Sequence, residues 1–152
     1  MTTRPFIVQP QSYPPALAVR GAQITPPAAN SATRSPERTL PQGDERVGPP
    51  PHCHPWDETF FVTRGLVTFE CAGQTTQARE GTLVHVPGGT MHAFRFGAGG
   101  GAMVEIAGAG GAATEMFTDV AAQFPSGPPA VPDVPRLIGV LQRHGVAVAA
   151  PQ

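Results

Sequence analysis

Between Arg46 and Ala107 the chain is cut into short runs rich in β-branched and aromatic residues, each closed by a glycine or a proline. Runs this short leave no room for a helix of ordinary length, and their partial alternation of apolar and polar residues suits strands with one buried face. The spacing predicts strands near 51–55, 58–64, 66–71, 74–79, 82–86, 91–96 and 102–107. Turns are expected at Arg64-Gly65, Ala72-Gly73, Glu80-Gly81 and Pro87-Gly88-Gly89, with a flexible glycine stretch from Gly97 to Gly101. Short strands at such spacing imply an all-β sandwich or barrel.

A chain of 152 residues suits one domain and can bury roughly 70% of its unfolded surface. Its 18 glycines and 19 prolines gather at the two ends and in turns, while a hydrophobic fraction of 40% is enough for a folded centre. Three segments follow: an N-terminal arm over 1–47, a barrel over 48–110 and an extension over 111–152. The arm is proline-rich, with short extended candidates at Phe6–Val8, Ala18–Thr25 and Thr33–Leu40 that serve as edge strands. Such an arm is expected to lie against its own barrel or a second copy, which is one route to a homodimer. In the extension, one short helix is expected around Glu115–Phe124, followed by a proline-rich linker from Pro125 to Pro135. Leu137, Val140, Leu141 and His144 then fall at helical spacing, with Gly145 as the stop. That second helix is expected to pack outside the barrel.

Charge and composition exclude several partners. The net charge is −1 and every basic residue is arginine, without a basic cluster, so the electrostatic footprint for nucleic acid is missing. No run approaches the roughly 20 apolar residues needed to cross a bilayer, and the first residues lack the apolar core of a signal peptide. A soluble cytoplasmic protein is the expectation. Cys53 and Cys71 are too few for a disulfide framework and are read as reduced.

Within the strand-rich region stand His52, His54, Glu58 and His92. Side chains alternate across a strand, so His52 and His54 face one side while Cys53 faces the other. Glu58 opens the next strand, with Phe60 on its side, and His92 enters from a distant strand with Phe94 and Phe96 on its face. Three imidazole nitrogens and one carboxylate oxygen suit one divalent transition ion, whether iron, manganese, nickel, copper, cobalt or zinc, and suit calcium badly. In an octahedral arrangement two positions remain for water, substrate or dioxygen.

These residues resemble the two motifs of the cupin superfamily. The first, G-x5-H-x-H-x3,4-E-x6-G, is met by His52, His54, Glu58 and Gly65, with Gly48 two residues closer than the pattern asks. The second, G-x5-P-x-G-x2-H-x3-N, is matched by Gly81, Pro87, Gly89 and His92, with Phe96 in place of the closing Asn. The extension is similar, more loosely, to that of small quercetin-dioxygenase-like cupins. The resemblance implies an all-β jelly-roll barrel (a double-stranded β-helix) with a proline-rich N-terminal arm and one or two short C-terminal helices. It also implies one bound metal ion, Fe(II) before the others, dimerisation, and dioxygenase-like chemistry on a small oxygen-bearing molecule.

In that oxidative reading an enol or phenol binds beside dioxygen, and Glu58 takes the substrate's hydroxyl proton. Phe60, Phe94, Phe96 and Met103 are the candidate substrate-lining residues, ordinary barrel core being the competing reading. A non-oxidative Lewis-acid reaction is the alternative, and it requires Glu105, His85 or Arg95 to face inward. A ligand-binding barrel without catalysis is the third reading. His85 is expected to be a strand histidine, His144 a helix-end residue and Cys53 a packed thiol. Glu105 is expected to be ion-paired or solvent-facing.

Overall fold

Two long strands carry the rest of the molecule. In a computed structural model, which describes residues 9–19, 22–26, 37–108, 110–124 and 134–149, they are β5 (Glu58–Cys71) and β8 (His92–Ala107). They pair antiparallel from Glu58↔Ala107 to Cys71↔His92. The others are β1 (Leu17–Val19), β2 (Ala22–Thr25), β3 (Glu37–Gly43), β4 (His52–Cys53), β6 (Gln74–Arg79), β7 (Leu83–Val86) and β9 (Ala147–Val148). One path through the sheet runs β1-β2-β3-β8-β4-β9, and β5 also pairs with β6 and β7. The result is a curled, antiparallel, all-β jelly roll with two short helices.

Arg64-Gly65 and Gly97–Gly101 do not end strands, as the sequence suggests; both lie inside continuous ones. The β5–β8 register slips between Val62 and Arg64 and again between Gly65 and Val67, so these glycines mark bulges that bend the pair. Gly65 sits at φ +78, and a Cβ there would lie 2.4 Å from the Gly100 carbonyl oxygen. The bend also moves the buried side from even to odd positions. Glu58, Phe60 and Val62 are buried before it and Val67 and Phe69 after; along β8, His92, Phe94 and Phe96 give way to Met103, Glu105 and Ala107. Ala72-Gly73 is a true turn: both residues have positive φ, as a two-residue hairpin requires.

The barrel begins earlier than residue 48. β3 pairs with β8 from Glu37↔Ala107 to Gly43↔Gly101, so residues 37–43 are barrel rather than arm. The single extended stretch expected at Ala18–Thr25 is a hairpin of β1 and β2. Phe6–Val8 and residues 33–36 lie outside the described residues.

The interior is filled by Phe60, Val62, Val67, Phe69, Phe94, Phe96 and Met103, with Phe60 and Phe69 ring centroids 5.3 Å apart. Helices α1 (Ala113–Gln123) and α2 (Val134–Arg143) bury Val120, Phe124, Leu137 and Val140 between them. α2 stops as expected: Gly145 takes φ +78, its N–H reaches the Gln142 carbonyl, and the Val146 N–H reaches that of Leu141. The helices pack on strands of the barrel, α1 on β1 and β3 and α2 on β9, and their side chains wall the cavity at that end. No helix among the described residues is long and apolar enough to cross a membrane.

Gly48 lies flat against β8: a Cβ there would sit 1.8 Å from the Phe94 carbonyl oxygen. Gly48→Ala should therefore force the backbone apart and lower the unfolding free energy by about 2 kcal/mol or more. Gly139→Ala, in α2 with nothing within 4 Å of the added carbon, should be neutral or stabilise by up to about 1 kcal/mol. Chemical denaturation of the two variants checks the contrast.

Candidate metal centre

Four short-range features bring the candidate ligands together. β4 is held between β8 and β9, which sets His52 directly opposite His92. His54 follows in a loop that is pinned to the 87–89 turn: the Gly89 N–H donates to the His54 carbonyl at 2.7 Å and the Gly88 N–H to Asp57 Oδ1 at 2.8 Å. Glu58 opens β5 and His92 opens β8.

Each imidazole is fixed by the carbonyl of a residue two positions away. Nδ1 of His52 donates to Pro50 at 2.9 Å, that of His54 to Trp56 at 2.9 Å and that of His92 to Thr90 at 2.8 Å. A carbonyl can only accept, so Nδ1 carries a proton, and in the neutral imidazole Nε2 is left with its lone pair. The ligand atoms of the three histidines lie within 4.8 Å of one another. Three histidines that could hold one metal ion are thus oriented and set in the metal-binding tautomer.

Glu58 closes the fourth side. Its Oε1 accepts from Trp56 Nε1 at 3.3 Å, and its Oε2 stands 3.1 Å from His54 Nε2 and 3.2 Å from His92 Nε2. The contact to His92 has hydrogen-bond geometry, but the closer one to His54 does not, and His54 Nε2 is buried without a partner. Trp56 stacks on His54 with centroids 4.2 Å apart and planes 5° from parallel, so the ring cannot swing away to find one. A buried acceptor without a donor is costly. A cation among these atoms satisfies it, and three imidazoles with one carboxylate fit a divalent transition ion.

Burial pulls His52 down to about 4, keeping it neutral. Burial also opposes the charge on His92, but the Glu58 carboxylate and the Thr90 carbonyl outweigh it and raise that histidine above its ordinary 6.5. For Glu58 burial pushes upward, yet the adjacent His54 and His92 hold the carboxyl down to about 2. The Glu58 carboxyl is thus held ionised beside His92, and His52 is held neutral.

The centre opens on a cavity of about 100 Å³, one wall of which is protein from the C-terminal extension. Phe60 and Phe94 line it, whereas Phe96 and Met103 are packed in the barrel core and are not among its lining residues. Glu105 is only 4% exposed and lines the cavity, so it does not face solvent, and it has a partner within the protein. His85 is exposed and hydrogen-bonds Thr59 at 3.0 Å, and Arg95 is exposed on Glu70 at 2.8 Å. His144 joins the end of α2 to Asp119 of α1 at 2.7 Å, and Cys53 is a half-buried free thiol. Sequence reasoning missed Trp56 and the helical residues Met116, Phe117, Leu137 and Leu141 as cavity wall. The apolar stripe of α2 was visible, but a stripe does not say what it faces.

Metal and protons compete for these nitrogens. His92 holds its proton above pH 6.5 and must release it to bind metal, while His52 is already neutral down to about 4. Metal affinity should fall as the pH drops below neutrality, since at least the His92 proton must be displaced. Chelator competition measures it; a flat profile contradicts ligation by His92.

Comparison with known proteins agrees with this geometry. The cupin domain family model (Cupin_2) matches residues 38–107, while no curated protein sequence matches the chain. KdgF from Halomonas sp. is similar in structure with a TM-score of 0.60 at 17% identity, over 67% of this chain and 93% of that one. The polyketide cyclase RemF from Streptomyces resistomycificus gives 0.57 at 22%, over 70% and 79%. An RmlC-like cupin from Shewanella frigidimarina NCIMB 400 gives 0.61 at 14%, over 72% and 96%. The strand topology and the two histidine motifs of the barrel agree with the match of residues 38–107 to the cupin domain family.

Proposed function

We propose that His52, His54, His92 and Glu58 hold one divalent transition metal, Fe(II) before the others, and that the chain is a metal-dependent enzyme. Its substrate is a small organic molecule that brings an oxygen to the metal from the adjoining cavity. The observation that carries this reading is the buried, unpartnered Nε2 of His54, set among two more imidazoles and a carboxylate. When bound, the ion supplies a Lewis acid for the substrate oxygen and, if it is iron, a site for dioxygen.

The chain's own groups do the rest. Trp56 keeps one Glu58 oxygen occupied, so the other is the one available to ligate, or to take a hydroxyl proton from an arriving enol or phenol. Phe60 and Phe94 offer apolar walls, and the helical cover limits water around the reacting atoms. Oxygenase chemistry, dioxygenase-like and similar to that of quercetin-dioxygenase-like cupins, is the first form of the proposal, and it rests on resemblance.

A second form is favoured by one specific observation. A Lewis-acid isomerisation, decarboxylation, cyclisation or elimination needs another acid or base, and Glu105 lines the cavity while His85 and Arg95 lie outside it. The name of RemF, a polyketide cyclase, is compatible with this form and, at its low identity, adds no more.

Oxygen-electrode and product assays of the iron-loaded protein on a panel of phenols and enols separate the two. The oxidative form predicts substrate-dependent oxygen uptake, lowered about 100-fold or more in His92→Ala and Glu58→Ala. Equal product formation with and without oxygen would overturn it and leave the Lewis-acid form.

A further inference from the structure

The cavity beside the metal centre keeps its polar side chains at one end. Among the described residues that line it there is no arginine, no hydroxyl and no amide side chain, and the chain contains no lysine. Apart from Glu105, the polar side chains on its wall all belong to the centre: His52, His54, Glu58 and the indole of Trp56. These are already committed, the Nδ1 atoms of His52 and His54 to backbone carbonyls and the indole N–H to Glu58. Glu105 has a partner within the protein and, being an acid, brings no positive charge. Pro49 and Pro50 also border the cavity and have no N–H to offer.

The rest of the wall is apolar and comes from both parts of the fold. Phe60 and Phe94 line it from the barrel, and Met116 and Phe117 of α1 with Leu137 and Leu141 of α2 line it from the extension. The cavity measures about 100 Å³. An apolar cavity of about 150 Å³ is enough to hold benzene, so the body accepted here is about one ring in size. A polar group carried into such a space leaves water and gains nothing in exchange. An unpaired hydroxyl weakens binding roughly tenfold, and an unpaired charge far more. The metal end is the opposite case, because a divalent ion beside one carboxylate keeps a net positive charge and welcomes an oxygen, ionised or not.

We infer that this site selects substrates with a single polar end: one oxygen function for the metal, on a compact body of about one ring that is uncharged and apolar elsewhere. The inference deepens the proposed function and rests on its metal centre for the polar end. Simple phenols and enolisable cyclic ketones fit the description. Sugars, amino acids, phosphate esters and molecules with a carboxylate remote from the metal do not. Binding is also oriented by this division, since only one end of such a molecule can face the ion while the other lies against the helical wall.

Zinc-loaded protein, in which the probes are not oxidised, is titrated by calorimetry with phenols that carry an ethyl, a hydroxymethyl or a carboxylate group, similar in size, at the meta or para position. In at least one position the ethyl compound should bind with a negative heat-capacity change. At that position the hydroxymethyl compound should bind about tenfold more weakly and the carboxylate about 100-fold or more weakly. Leu141→Arg and Phe117→Arg place a cation on the helical wall at half-buried positions. In either variant that keeps its circular dichroism and its zinc, the penalty on the carboxylate should shrink about tenfold or more.

The titration of the unmodified protein decides on its own, and the variants locate the effect. Hydroxymethyl or carboxylate compounds that bind as tightly as the ethyl compound at both positions would overturn the inference. The metal reading would then still stand if that binding is lost on chelation of the zinc. A carboxylate penalty unchanged in both folded, zinc-loaded variants, or no binding by any probe, would also overturn the inference. Binding that is indifferent to zinc would overturn both it and the metal reading.

Discussion

Three backbone carbonyls, those of Pro50, Trp56 and Thr90, decide what the interior of this barrel can do. Each holds one imidazole by Nδ1 and so directs an Nε2 lone pair toward the others. The side chains are not free to relax from this arrangement: β4 is clamped between β8 and β9, Trp56 lies flat on His54, and the 54–57 loop is tied to the 87–89 turn. Electron-rich atoms held at this distance are a stability liability in the absence of a cation. Folds tolerate such local conflict where it serves a site.

The long bent strands explain how the centre can be both rigid and open. β5 and β8 run the length of the barrel, and their aromatic side chains fill it below the metal site. The ends of these strands at Glu58 and His92 carry ligands. Above them the barrel is closed by the C-terminal helices, whose own packing on Val120, Phe124, Leu137 and Val140 is separate from the barrel core. The His144–Asp119 pair and the tight end of α2 at Gly145 position this cover. The cavity therefore has a barrel side, which bears the polar chemistry, and a helical side, which is apolar and shapes what fits.

Much of this was legible in the sequence because the relevant signals are local. The H-x-H spacing places His52 and His54 on one face of an extended chain, and Ala72-Gly73 and Gly145 end their elements by backbone conformations that local sequence encodes. The remainder failed for a common reason. Glycines at Arg64-Gly65 and Gly97–Gly101 read equally as turns or bulges, and the difference is settled by the partner strand, which is far away in the chain. Since a bulge moves the buried side from even to odd positions, the inward direction of Glu105 could not be carried over from His92 and Phe94 by alternation. Phe96 and Met103 do point inward, but to the packed core; depth along a barrel is a tertiary property. The helical wall was hidden likewise, because an apolar stripe such as Leu137 and Leu141 names no partner.

The central claim is that these four side chains make one metal site. Elemental analysis of the protein purified without added metal, alongside His52→Ala and His92→Ala, tests it most directly. The account predicts close to one transition-metal ion per chain in the unmodified protein and near-complete loss in both variants, with the fold retained by circular dichroism. Metal content that is unchanged by either substitution, or absent even after loading with Fe(II), Zn(II) and Ni(II), would contradict it.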